Sequence, residues 1–74
     1  MTLKEQFDKL AENAVFNLEY YWREDEKRIV YDDFVQGAME IIVKAYALAC
    51  SSDYRYMRDK FFRVERYLKL KLIK

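Results

Sequence analysis

Apolar residues return every three or four positions from the amino terminus onward. Leu3, Phe7, Leu10, Ala11, Ala14, Leu18, Tyr21 and Trp22 trace one stripe of a helical wheel. Thr2 with Glu5 three residues later forms a capping-box pair, so a first helix is expected from residue 3 to about residue 23. Glu5, Asp8, Glu12 and Glu19 fall on another side of that wheel, as an acidic row expected to face water. The stretch REDEKRIVYDD then interrupts the pattern with six successive charges and reads as a connection, within which RIVYD suits a short extended piece. Asp32 or Asp33 is the expected N-cap of a second helix, with Gln36 three positions after Asp33. Over 33–50 an apolar arc of Phe34, Val35, Ala38, Ile41, Ile42, Ala45, Tyr46 and Ala49 leaves Gln36, Glu40 and Lys44 on a narrow polar side. Such a helix is expected at the centre, covered from more than one direction. Ser51 and Ser52 stop it and offer a new N-cap. Asp53 early and Lys69, Lys71 and Lys74 late suit the dipole of a third helix over 53–72. Its core stripe is Tyr54, Met57, Phe61, Val64, Leu68 and Leu72.

No segment shows sustained strict alternation of apolar and polar residues bounded by turn residues, and the chain holds no proline and one glycine, Gly37. The pattern therefore predicts an all-α protein: a single helical domain over residues 1–74, folded as a compact three-helix bundle, either complete in itself or completed by dimerisation. A domain of this size removes only about 60% of its unfolded surface from water, which keeps association with a second copy in view. The composition, 53% hydrophobic and 18% aromatic, supplies large contact areas per side chain.

The longest apolar stretch, AMEIIVKAYALAC, is broken by Glu40 and Lys44, and the first twenty residues alternate charge with apolar residues, unlike a signal peptide. No membrane association is expected, and the lone cysteine, Cys50, fits a reducing cytoplasmic setting. Cys50 is read as a small buried residue, not a nucleophile. With no histidine there is no ready acid–base group near neutral pH and no imidazole ligand, so an enzyme is not expected. Glu24, Asp25, Glu26, Asp32 and Asp33 lack the glycine-hinged spacing of a calcium loop and are read as solvation and capping. No cofactor or metal is expected.

Net charge is +1, but the sum conceals a division. Residues 1–50 carry ten acids and six bases (−4), and residues 51–74 carry three acids and eight bases (+5). Within the basic segment, Arg55, Arg58, Phe62, Arg66 and Lys69 are spaced three, four, four and three apart, which brings them onto one stripe turned away from Phe61. Neighbouring residues project about 100° apart, so Phe61 is expected inside and Phe62 outside. An exposed ring framed by arginines has the composition of a binding hot spot. The plainer reading is that the bases solvate the helix while Phe62 packs on the connection at 24–32.

Two further sets are candidates for secondary contacts. Tyr56, Lys60, Arg63 and Tyr67 form a flanking stripe of bases and aromatics that could meet nucleic acid or close the bundle with its hydroxyls at the rim. Phe16 and Tyr20 lie off the first core stripe, either covered by the connection and the end of the third helix or forming a dimer seam. The leading expectation is a small non-enzymatic module that binds a protein partner with an acidic surface through the third helix. Phages and mobile elements use chains of this kind to inhibit or regulate a host complex. The alternative is a small dimeric DNA- or RNA-binding regulator, and a third reading is a structural homodimer.

Overall fold

The computed structural model describes residues 2–49 and 51–72 and contains three helices: α1 (Leu3–Tyr20), α2 (Glu24–Ala47) and α3 (Ser51–Leu72). Every pair of helices packs together, so the described residues form an all-α three-helix bundle, 39 × 20 × 15 Å. Cys50 and Lys74 lie outside the described residues. No described helix is long and apolar enough to cross a membrane.

α1 begins with the capping box expected of it. The Thr2 hydroxyl accepts from the Glu5 backbone N–H at 3.2 Å, while the Thr2 N–H donates to Glu5 Oε1 at 3.3 Å. Phe7, Ala11, Ala14 and Leu18 are its buried residues. The helix stops at Tyr20, three residues short of the expected end, because the chain turns extended at Tyr21. Tyr21 and Trp22 therefore leave the core stripe assigned to them, and Trp22 stands 88% exposed.

The larger correction concerns residues 24–32, which are neither a connection nor extended but the first turns of α2. The acids Glu24, Asp25 and Glu26 occupy the first turn, where they complement the positive end of the helix dipole. The N-cap is Arg23, without a side-chain cap bond, and not Asp32 or Asp33, which lie inside the helix. The link between α1 and α2 is thus only residues 21–23. The apolar arc is also narrower than expected: Phe34, Ala38, Ile42 and Ala45 are buried, whereas Tyr46 is exposed, its ring 5.5 Å from that of Tyr54. Ala49 lies beyond the end of α2, exposed and in the left-handed region with φ 58°. Gly37 marks a close approach of α1 and α2, since a Cβ there would stand 3.0 Å from Leu10 Cδ2.

α3 starts at Ser51, two residues earlier than expected, and buries Met57, Phe61 and Leu68. The centre of the bundle is aromatic. Phe34 stacks on Phe61 with centroids 5.7 Å apart and Phe7 lies tilted against Phe34 at 6.4 Å, so one ring from each helix meets there.

Candidate protein-docking face

On α3 the two adjacent phenylalanines diverge as the wheel requires. Phe61 is 7% exposed within the core and Phe62 is 59% exposed. Their rings still touch edge to face, 5.7 Å apart at 67°, so the buried ring backs the exposed one. Residues 24–32 form no connection over Phe62, since they belong to a helix, and the ring stays largely exposed. Arg55, Arg58, Arg66 and Lys69 are exposed around it.

These bases differ in how far they are committed. Arg58 Nε lies 3.9 Å from Asp59 Oδ1, and its guanidinium stands 5.7 Å from the Tyr54 ring. Lys69 Nζ is 3.8 Å from Glu65 Oε1. Both contacts are long and both basic side chains stand about half exposed, so the pairs hold Arg58 and Lys69 weakly. Arg55 and Arg66 form no ion pair among the described residues. A partner's carboxylates would thus meet guanidiniums that have little to give up.

The flanking stripe is largely engaged within the molecule. Tyr56 Oη donates to Asp8 Oδ1 at 2.8 Å, and Lys60 Nζ donates to the same oxygen at 2.7 Å and to Tyr56 Oη at 3.3 Å. Asp8 therefore does not belong to a free acidic row: it anchors α1 to α3. Burial pushes the Asp8 carboxyl up, but hydrogen bonds from Lys60 and Tyr56 and the charges of Lys60 and Lys4 outweigh it and hold the group below its ordinary value. Burial also pushes Lys60 down, yet the bonds to Asp8 and Tyr56 leave it raised. Tyr67 Oη donates to Glu19, which raises the phenol, so a second member of the acidic row is tied across the same seam. Of the flanking set, Arg63 alone is exposed without an ion pair or hydrogen bond among the described residues.

Phe16 and Tyr20 are not covered by the connection or by α3. They are 58% and 70% exposed and lie against each other at 4.6 Å. The outer side of α2 carries apolar residues that the sequence reading did not single out, among them Ile29, Met39 and Val43. Met39, Val43 and Tyr46 recur at four- and three-residue steps within the expected helix, and Ile29 joins the exposed apolar set because residues 24–32 are helical. Among the described residues no group of three or more acids is placed to hold a metal ion.

Comparison of the chain with protein-family models, with curated proteins and with solved structures finds no match in any of the three. Surface geometry and chemistry therefore carry the functional reading.

Proposed function

We propose that the chain is a non-catalytic binding module that docks the α3 face, Phe62 framed by Arg55, Arg58, Arg66 and Lys69, onto an acidic surface of a protein partner. The observation that carries this reading is the 59% exposed Phe62 ring, held edge-on by a buried neighbour and surrounded by exposed bases. A ring fixed before binding loses little rotamer freedom on docking, and desolvating it between guanidiniums adds area to charge pairing. A chain acting in this way works by occupying its partner's surface, as an inhibitor or regulator of a host complex in the cytoplasm.

The test is affinity capture with the wild type beside Phe62→Ala, followed by binding isotherms with the captured protein. Loss of about 2 kcal/mol, roughly thirty-fold in affinity, with an unchanged circular dichroism spectrum, is the expected outcome. Equal binding by both proteins overturns the reading. A nucleic-acid mobility shift whose log–log salt slope is roughly one per phosphate contact replaces it with the regulator alternative.

A further inference from the structure

The groove between α1 and α2 is chemically opposite to the α3 face. It encloses about 340 Å³, and its walls carry the carboxylates of Glu26 and Asp33, the amides of Asn13 and Asn17, and apolar surface from Leu10 and Val30. No basic side chain lines it, and neither does any residue of α3. Glu26 and Asp33 lie seven residues apart on α2, roughly 10.5 Å along the axis at 1.5 Å per residue, with Ile29 and Val30 between them. On α3, Arg58 and Arg66 are eight residues apart, roughly 12 Å, with Phe62 midway. One pattern runs acid, apolar, acid; the other runs base, ring, base. The spans differ by less than the reach of an arginine side chain.

We infer that the α3 face of one molecule docks into the α1/α2 groove of a second copy, Phe62 entering between Glu26 and Asp33 while Arg58 and Arg66 meet the two carboxylates. This rests on reading the α3 face as a docking surface and names an occupant for it. The contact is heterologous because the face and the groove are different patches of the molecule, so a pair of copies retains one free face and one free groove between them, and growth continues until a ring closes. Separation of charge between residues 1–50 and 51–74 favours this head-to-tail order over pairing of like faces. Self-association also covers the face that a foreign partner would use, which makes the two mutually exclusive.

Sedimentation equilibrium separates the outcomes. The wild type is expected to rise above the 9.1 kDa monomer with concentration at about 0.02 M salt, and to return to monomer near 1 M, where screening acts over roughly 3 Å. A groove variant, Glu26→Gln with Asp33→Asn, and a face variant, Arg58→Gln with Phe62→Ala, are each expected to be monomeric alone. All four positions are exposed or half-exposed, so the fold is not at stake. Mixed one to one, the two variants retain one intact groove and one intact face between them, and are expected to form a dimer of about twice 9.1 kDa that grows no further. Association of the groove variant alone, of the face variant alone, or no dimer in the mixture overturns the inference. A wild type that stays monomeric throughout overturns it too. If Phe62→Ala nevertheless loses its captured partner, the docking reading survives on its own.

Discussion

Phe61 and Phe62 are chemically identical neighbours with opposite surroundings, so they separate stability from binding. Removing the Phe61 ring leaves a void against Phe34 and is expected to cost about 3 kcal/mol, whereas Phe62→Ala loses only the edge contact with Phe61 and should cost no more than about 1 kcal/mol. Urea melts of both variants check this, and the reverse order would mean that the ring facing water is the one holding the fold. Asp8 offers a second single-residue test. Its folded value lies below the ordinary 3.8, so the unfolded chain binds more protons near that pH and stability rises with pH. The contribution is complete above the unfolded value and is lost as pH falls through the folded one. Lys60, raised above 10.5, keeps its share of the pair up to still higher pH. Asp8→Asn is expected to lower stability by about 1 kcal/mol at neutral pH, a modest figure because both side chains are partly solvated. The gap between variant and wild type should narrow as the pH is taken below 3.8, and a gap unchanged in acid would assign it to something other than charge.

At the scale of the elements, legibility followed packing. α1 and α3 could be read because each has one clear stripe and a recognisable start. The Thr2–Glu5 box and the divergence of Phe61 from Phe62 both appear in the structure. α2 was misread at its beginning because a run of charges looks like a loop. Charge does not oppose helix formation at a solvated amino terminus, where three acids suit the dipole. The decisive signal was Val30 and Phe34, four apart, which carry the core stripe backward into that run. The candidate face on α3 inherits the legibility of that helix, while the acidic groove involves the start of α2, where the charged run conceals a helix. The far end of α2 shows another local conflict. Ala49 adopts φ 58°, a conformation that costs a Cβ-bearing residue about 1 kcal/mol, at a place where helix ends usually carry glycine. Ala49→Gly is therefore expected to stabilise the protein by about 0.5–1 kcal/mol, a rise of a few degrees in Tm for a domain of this size. A fall in Tm would show that the methyl group contributes more than the strain costs.

For the molecule as a whole, the three helices share one core and have little else in common. Among the described residues eleven are buried, four from α1, four from α2 and three from α3, in one cluster. Phe34 is the point at which the three meet, stacked on Phe61 of α3 and touched by Phe7 of α1. At about 0.05–0.15 kcal/mol per residue, a chain of 74 residues has roughly 4–11 kcal/mol of stability to lose. Phe34→Ala removes a fully enclosed ring, a change that costs about 3–5 kcal/mol, so the variant is expected to lose a large share of that reserve and to unfold at clearly lower temperature and urea concentration than the wild type. Because the void would open among all three helices, they should melt together. Near- and far-ultraviolet circular dichroism should give superimposable transitions for wild type and variant. Loss of near-ultraviolet signal well before helix content would mean that the aromatic cluster is not the common support, and that one pair of helices persists without the third.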